Sequence, residues 1–178
     1  MSKRILIGLV GKKRSGKNTF ADFLYEEPGF CVQLAFGDEL KQEVADCIGK
    51  NIWEIHEEKE KYRSLLRFWG TNLRRFFCGE DYWIKKVAAR MATLDSSVMV
   101  VITDVRFPNE AKFIKDNGGV LVRIVRDGLP QDSHQSETEQ EKIQCDYTVC
   151  NNHTLEDLKA AARILLGEIR RFNSLGGD

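Results

Sequence analysis

Three residues near the N-terminus have the types and spacing of a phosphate-binding loop. Gly11, Gly16 and Lys17 fit the pattern Gly-x-x-x-x-Gly-Lys within "GLVGKKRSGKNTF", residues 8–20. In such loops, backbone N–H groups and the N-terminus of the next helix surround phosphate oxygens, and the lysine neutralises the β- and γ-phosphates. The same spacing also fits a strand–turn–helix connection in which glycine only makes the turn. The apolar run before the loop and the helical pattern after it favour the nucleotide-phosphate site.

The residue after the loop lysine departs from the usual pattern. A Ser or Thr normally follows the lysine and binds a magnesium ion, whereas this chain has Asn18 and then Thr19. Because an amide is a poorer direct ligand of magnesium than a hydroxyl, we expect Thr19, the phosphates or water to hold the ion. Thr19 is also suited to hydrogen-bond the α-phosphate.

The clearest strand pattern in the chain, "SSVMVVITD" (96–104), ends at Asp104. Ligands of open α/β sheets bind at the carboxyl ends of the strands, so we expect Asp104 to hold magnesium through water or to accept a proton. Arg106 would point the same way along an extended backbone, towards a bound anion. A structural ion pair between these two residues is the alternative. Glu110, in the first turn of a helix that starts at Pro108, is also favoured there by the helix dipole alone.

A segment rich in arginines and aromatics, "YRSLLRFWGTNLRRFF" (62–77), has a helical pattern. Regular helical spacing predicts Arg63, Arg67 and Arg74 close to one line. The other face would carry the apolar residues Leu65, Trp69, Leu73, Phe76 and Phe77. A solvated cationic face would look similar, but aligned arginines repel one another and a bound phosphate would relieve that repulsion. Gly70 costs a helix about 1 kcal/mol relative to alanine, which indicates a break or a close approach at this point.

Strand patterns alternate with helical patterns along the whole chain, which predicts an α/β fold. We expect a parallel sheet of about five strands flanked by helices, in one domain over 1–178 with a helical insertion at about 38–94. Asp38 is predicted to cap the helix that ends at Gly49. The other predicted strands are 3–10, 30–36, 120–125 and 146–150, and the other helices include 17–25 and 154–172.

The composition argues against several classes of protein. The chain has 178 residues with 27 basic and 27 acidic side chains, so its charge predicts neither nucleic acid nor a membrane as a partner. Its apolar runs are too short to span a bilayer, and the N-terminal run does not lead to a signal-peptide cleavage site. Five cysteines without C-x-x-C spacing predict reduced thiols and a cytoplasmic location. A homodimer is compatible with the sequence.

Several segments together resemble one known family. "GKKRSGKNT", "LLRFWGTNLRR", "DYW", "TDVRFPNEA" and "RIVRDG…DSHQSE…DYTVCNN" occur in that order. They look like the phage-type deoxynucleoside monophosphate kinases, within the P-loop nucleoside monophosphate kinase group. The resemblance implies a three-layer P-loop fold and transfer of the γ-phosphoryl group of ATP to a deoxynucleoside monophosphate with Mg²⁺. It also implies the cytoplasm of a bacterial host if a bacteriophage encodes the chain.

The resemblance assigns roles to individual residues. By similarity, ATP would be bound by Gly11, Lys13, Arg14, Ser15, Gly16, Lys17, Asn18, Thr19, Arg126 and Asn151. The acceptor would be bound by Asp38, Lys41, Arg63, Arg67, Trp69, Thr71, Arg74, Arg75, Trp83, Asp104, Arg106 and Glu110. Catalysis would fall to Lys17, Arg14, Asp104 and Arg106, with magnesium at Thr19 and Asp104. The family often has Gln in place of Arg67, which leaves the base preference open.

The polar segment 127–144 reads by itself as a solvated, mobile loop. In the family that it resembles, the corresponding stretch is a lid over the phosphates. This makes Arg126, Asp132, His134 and Glu137 candidates for lid contacts.

Two other functions remain open at this point. One is a kinase of another small phosphorylated molecule, such as dephospho-coenzyme A or phosphomevalonate. The other is a nucleotide-binding regulatory module without small-molecule turnover, although the Asn-Lys-x-Asp motif of GTPase switches is absent from the sequence.

Overall fold

Five parallel strands form a single sheet, as the sequence predicts. The computed structural model describes residues 4–130 and 134–175. The strands are β1 (Leu6–Val10), β2 (Cys31–Leu34), β3 (Met99–Val105), β4 (Val120–Val125) and β5 (Tyr147–Cys150). Their order in the sheet is β2-β3-β1-β4-β5, and every neighbouring pair is parallel. All five residues of β1 are buried, because the central strand of such a sheet is covered on both faces.

Helices cover both faces of the sheet. Ile7 and Leu9 of β1 share one core with apolar residues of α1 (Lys17–Tyr25) and α9 (Leu155–Leu175). Gly8 lies between them in the strand. Because successive residues of a strand point to opposite faces of the sheet, a side chain at this position would point to the other face. A Cβ at Gly8 would overlap the side chain of Ile114 in α7 (Pro108–Asp116), so this glycine lets α7 pack close to the sheet.

The chain divides into two compact units. Ala35–Thr93 forms the second unit, and the sheet with the remaining residues forms the first. The second unit contains α2 (Phe36–Ile48), α3 (Ile52–Glu57), α4 (Lys59–Arg67), a π-helical segment (Phe68–Arg75), α5 (Phe76–Cys78) and α6 (Tyr82–Ala92). Val44, Ala45, Ile55 and Leu66 form its own small core. No described helix in either unit is long and apolar enough to cross a membrane.

The start of α2 differs from the prediction. The strand predicted over 30–36 ends at Leu34, and α2 begins at Phe36, so Asp38 lies in the first turn of the helix and does not cap it. A carboxylate is still favoured there, because it interacts with the positive end of the helix dipole. The predicted end of the helix is confirmed: Gly49 follows it with a φ of 67°.

Because Phe68–Arg75 is π-helical, the side chains of the arginine-rich stretch do not lie on the faces predicted for an α-helix. Regular α-helical spacing places residues five apart about 140° from each other. A π-helix bonds residue i to i+5 and brings such pairs together. The guanidinium carbon of Arg74 accordingly lies 5.7 Å from the centre of the Trp69 ring. Phe76 and Phe77, predicted on the apolar face, are 78% and 73% exposed. Of the break or close approach expected at Gly70, the close approach is confirmed: the helical backbone continues through Gly70, and a Cβ there would lie 2.9 Å from the side chain of Leu40 in α2.

The second half of the polar segment 127–144 is folded. It contains the short helix α8 (Gln135–Thr138) and a 3₁₀ turn (Glu139–Lys142). Nη2 of Arg123 in β4 donates to the backbone carbonyls of Gln140 at 3.1 Å and Ile143 at 2.6 Å. Gln140 is buried, so this half has ordered turns and a buried polar side chain where the sequence predicts a fully solvated loop. Asp132 lies outside the described residues.

Candidate active site

The loop between β1 and α1 has the backbone of a phosphate-binding loop. Gly11 has a φ of 151° and Gly16 a φ of 101°, both in the region that side chains avoid. A Cβ at Gly11 would overlap the backbone carbonyl oxygen of Ile124, and one at Gly16 would overlap the side-chain amide of Asn151. Both positions therefore require glycine, for their conformation and for space.

Two polar side chains of this loop are suited to an anion. Nζ of Lys17 donates to the carbonyl oxygens of Gly11 at 2.5 Å and Lys12 at 2.9 Å, which keeps the ammonium group at the loop. The hydroxyl of Ser15 is buried and has no hydrogen-bond partner within the described part of the chain. A buried hydroxyl without a partner is unfavourable, and a phosphate oxygen would satisfy it. The loop therefore fits the phosphates of a nucleotide.

The tip of the loop presents its remaining side chains to solvent. Arg14 has a φ of 68° and is, among the described residues, the one non-glycine residue with a positive φ. Backbone conformations of this kind are uncommon and occur often at functional sites. Arg14 and Asn18 are exposed, and Lys13 is half-buried. Asn18 belongs to the first turn of α1, and the predicted roles of these three side chains towards ATP stay predictions.

Asn151 fixes the loop from the end of β5. Its backbone N–H donates to the carbonyl of Val125 at 2.7 Å, which continues the pairing of β5 with β4. Its side-chain amide donates to the carbonyl of Ser15 at 2.8 Å. Asn151 thus has a structural contact to the loop, and its contact with adenine stays a prediction. Arg126, which follows β4, is exposed.

Asp104 lies at an irregularity of the sheet, beside the strand that leads into the loop. Gly8 pairs with Ile102 and Val10 with Val105, so two steps along β1 correspond to three along β3. Such a bulge re-aims side chains and is common next to active sites. Because β1 and β3 are parallel neighbours, Asp104 and the phosphate-binding loop share the carboxyl edge of the sheet.

Two oxygen ligands are available for a magnesium ion at this edge. Thr19 is half-buried in the first turn of α1, and Asp104 is half-buried near the end of β3. Proteins commonly bind Mg²⁺ through one or two such oxygens and leave the other positions to phosphates and water. The hydroxyl of Thr19 and the carboxylate of Asp104 are oxygen donors of the kind that fits the ion, and their role as magnesium ligands stays a prediction.

Arg106 is held by the folded half of segment 127–144. Its Nη1 donates to Oε1 of Glu137 at 3.1 Å, and Nε2 of Gln140 donates to Oε2 of the same carboxylate at 2.8 Å. Glu110 is 3% exposed and accepts from the backbone N–H groups of Arg106 and Phe107 at 2.8 and 3.1 Å. Glu110 therefore orders the start of α7, and its role towards the acceptor stays a prediction.

In the second unit, hydrogen-bond donors converge on Glu43 of α2, a residue that the sequence analysis missed. Oε1 accepts from Nε1 of Trp69 at 2.8 Å and from Nε of Arg74, and Oε2 accepts from the hydroxyl of Tyr82 at 2.7 Å. Nζ of Lys86 lies 3.2 Å from Oε2. Burial would raise the pKa of Glu43, but these four hydrogen bonds outweigh burial and lower it to about 2. Glu43 is therefore anionic at neutral pH.

Several predicted acceptor residues of this unit hold its own structure. Nε1 of Trp83 donates to the carbonyl of Gly70 at 3.1 Å, and Nη1 of the buried Arg75 donates to the carbonyl of Glu80 at 2.9 Å. Nη1 of Arg63 lies 3.1 Å from Oε2 of Glu60.

Asp38 and Lys41 form a separate polar cluster with His56. Nζ of Lys41 donates to Oδ1 of Asp38 at 2.7 Å and lies 3.5 Å from Nδ1 of His56. Burial, followed by the charge of Lys41, lowers the pKa of His56. The other two predicted acceptor residues are half-buried, Arg67 at the end of α4 and Thr71 in the π-helical segment.

Comparison with known proteins identifies the family. The family model described as "Deoxynucleotide monophosphate kinase" matches residues 35–162. The chain belongs to the deoxynucleotide monophosphate kinase family. It is also 33% identical to a protein of Acanthamoeba polyphaga mimivirus named "Putative deoxynucleotide monophosphate kinase", over 86% of this chain and 91% of that protein. Nucleotide kinase activity and the use of ATP follow from this family and its P-loop.

Solved structures of other proteins share the fold of this deoxynucleotide monophosphate kinase family member. TT1252 from Thermus thermophilus has a TM-score of 0.54 at 16% identity and covers 93% of this chain and 98% of its own. A mutant of the APS kinase CysC from Mycobacterium tuberculosis has a TM-score of 0.51 at 15% identity and covers 94% of this chain and 99% of its own. At these identities the likeness establishes the fold alone.

Proposed function

We propose that the protein transfers the γ-phosphoryl group of ATP to a deoxynucleoside 5′-monophosphate, giving the diphosphate and ADP. The observation that carries this proposal is the loop between β1 and α1. Nζ of Lys17 lies at its carbonyl groups, and the buried hydroxyl of Ser15 has no hydrogen-bond partner among the described residues, so both groups can bind phosphate oxygens. The family of the chain and the mimivirus relative support the deoxynucleotide as the acceptor.

The donor phosphates bind at the loop between β1 and α1. Backbone N–H groups of the loop and the N-terminus of α1 bind phosphate oxygens, and Lys17 neutralises the β- and γ-phosphates. Arg14, exposed at the tip, approaches the γ-phosphoryl group as negative charge builds up on it. When bound, Mg²⁺ neutralises further charge on the β- and γ-phosphates, and Thr19 and Asp104 are the residues that would hold it.

The acceptor monophosphate is bound by cationic and aromatic side chains, of which Arg74 is the best placed in the second unit. A guanidinium group suits this role because its planar fork matches two phosphate oxygens. Arg106, whose Nη1 donates to Glu137, is the other arginine that the sequence proposes for the acceptor, and this role stays a prediction.

The reaction requires little covalent chemistry from the protein. The oxygen of the acceptor phosphate is already a nucleophile, so we assign no general base. The chain has to align the two phosphates, neutralise their charge and exclude water, which would otherwise hydrolyse ATP.

Isothermal titration calorimetry tests this assignment at the level of binding. We expect the protein to bind a non-hydrolysable ATP analogue and, separately, at least one of dAMP, dCMP, dGMP and dTMP. A nucleotide-binding regulatory module would bind the ATP analogue and ignore all four monophosphates, and that result would overturn the proposal.

A further inference from the structure

The guanidinium group of Arg74 is held in one orientation. Its Nε donates to Glu43, and its Cζ lies 5.2 Å from the centre of the Tyr82 ring and 5.7 Å from that of Trp69. Contacts between a cation and aromatic rings add to the hydrogen bond and restrict the plane of the group. An arginine side chain otherwise has many rotamers, so three simultaneous contacts select one of them.

The opposite edge of the same guanidinium is available to a ligand. Nη1 has a weak contact with the thiol of Cys78 at 3.7 Å, and Nη2 has no partner among the described residues. The side chain of Arg74 is 30% exposed. A guanidinium fixed through Nε and only weakly bonded at its Nη edge is well prepared to bind a phosphate with two parallel hydrogen bonds.

Glu43 is the residue on which this orientation depends. Its side chain is 14% exposed, and its four donors come from the π-helical segment and from α6. A carboxylate enclosed by several donors has little freedom to move. Because Tyr82 and Lys86 occupy Oε2, Oε1 is left for Trp69 and Arg74.

We propose that Glu43 is a positioning residue that presents the Nη edge of Arg74 to the 5′-phosphate of the acceptor. This inference rests on the proposed function, since it assumes that the second unit binds a nucleoside monophosphate. Glu43 acts through Arg74 and does not itself touch the substrate. Without the Glu43 carboxylate, the guanidinium of Arg74 is no longer held in place. It then has to be ordered each time the monophosphate binds, which weakens binding.

Steady-state kinetics of Glu43→Gln test the proposal. The substitution keeps the volume and removes the charge that fixes Nε. We expect the KM for the most active deoxynucleoside monophosphate to rise about tenfold, while the KM for ATP changes less than about twofold. The matched control is Glu39→Gln, one turn earlier on α2, which removes an exposed ion pair with Arg90 (3.3 Å). We expect the control to leave both KM values unchanged.

A double-mutant cycle separates positioning from general destabilisation. In an Arg74→Ala background, Glu43→Gln should raise the KM for the monophosphate no further, because the group that it positions is already gone. Full additivity of the two substitutions would overturn the proposal. If Glu43→Gln does not fold, Glu43→Asp takes its place, since it keeps the charge but withdraws the carboxylate by one methylene. The same rise in KM and the same lack of additivity are expected.

The outcomes distinguish this inference from the proposed function. A wild-type protein that none of the four deoxynucleoside monophosphates stimulates would contradict the proposed function, and the inference with it. An active wild type whose Glu43→Gln variant keeps the normal KM for the monophosphate would overturn the inference alone.

Discussion

The side-chain amide of Asn151 donates a hydrogen bond to the backbone carbonyl of Ser15, 2.8 Å away, although 136 residues separate them in the sequence. The turn after the last strand thereby holds the loop that follows the first strand. The shape of the phosphate-binding loop depends on this contact as well as on the conformations of Gly11 and Gly16. Through this hydrogen bond, the end of β5 supports the loop to which we assign the nucleotide phosphates.

Asn151→Ala should weaken ATP binding by releasing the loop. A hydrogen bond of this kind contributes about 1 kcal/mol, so we expect the KM for ATP to rise about fivefold. The matched control is Asn117→Ala, which removes a side-chain amide bonded to the carbonyl of Phe113, also at 2.8 Å, after α7. Equal effects of the two substitutions on the KM for ATP would contradict this account of Asn151.

Lys17→Ala should abolish phosphoryl transfer and leave the fold intact. The ammonium group donates to the loop carbonyls of Gly11 and Lys12 and lies outside the apolar core that β1 shares with α1 and α9, so we expect its loss to cost little stability. We expect kcat to fall at least about a thousandfold, with an unchanged circular dichroism spectrum. Lys112→Ala, which removes an exposed lysine paired with Asp116, serves as the control. Near-normal activity of Lys17→Ala would rule out the assignment of the loop.

Arg106→Ala should affect the acceptor more than ATP. Glu137 orients the guanidinium of Arg106, and we expect its removal to raise the KM for the monophosphate about tenfold and the KM for ATP less than about twofold. Lys115→Ala, on α7, removes a cation paired with Asp146 and controls for the loss of charge. Parallel increases in both KM values would mean that Arg106 is not specific to the acceptor.

Asn18→Ser should preserve activity and change its dependence on magnesium. A hydroxyl at this position adds a better direct ligand, so we expect half-maximal activity at a lower Mg²⁺ concentration. Thr19→Ala, which removes a proposed ligand, should shift the dependence in the opposite direction. Complete loss of activity in Asn18→Ser would instead show that the amide itself is essential.

The stability contributed by Glu43 should depend on pH. Its pKa in the folded protein is lowered from 4.5 to about 2, so its charge stabilises the fold above about pH 4.5, and this contribution is lost as the pH falls towards 2. The shift corresponds to at most about 3 kcal/mol. Urea denaturation should therefore find Glu43→Gln less stable than the wild type at pH 7, with a difference that shrinks at pH 3. A difference independent of pH would attribute the effect to packing instead of charge.

The sequence correctly predicts those helices, strands and loops that are marked by residues next to one another in the chain. The loop around Gly11 and Lys17 lies between a buried strand and a helix that runs over Lys17–Tyr25 as expected. The helix that starts at Pro108 and the strand Val120–Val125 are also confirmed, because proline, glycine and apolar runs mark their ends. These features depend on neighbouring residues alone.

The rest depends on contacts between distant residues or on irregular backbone. Glu43 accepts hydrogen bonds from Trp69, Arg74 and Tyr82, which follow it by 26, 31 and 39 residues. No local sequence pattern predicts that these side chains meet. Its position three residues after Leu40, on the apolar side of α2, is the one signal that points to it. The sequence analysis assumed α-helical spacing through Phe68–Arg75, which is π-helical, so it assigned side chains to the wrong faces. Gln140 is buried although its neighbours in the sequence are polar and predict an exposed segment.

A coupled assay of ADP release would detect phosphoryl transfer to a deoxynucleoside monophosphate directly. Purified protein, Mg-ATP and each of the common deoxy- and ribonucleoside monophosphates are combined separately, with Lys17→Ala as the inactive control. We expect one or more deoxynucleoside monophosphates to stimulate ADP release well above the rate with ATP alone, and Lys17→Ala to abolish this stimulation. No stimulation by any deoxynucleotide, from a protein that still binds ATP, would contradict the proposed function.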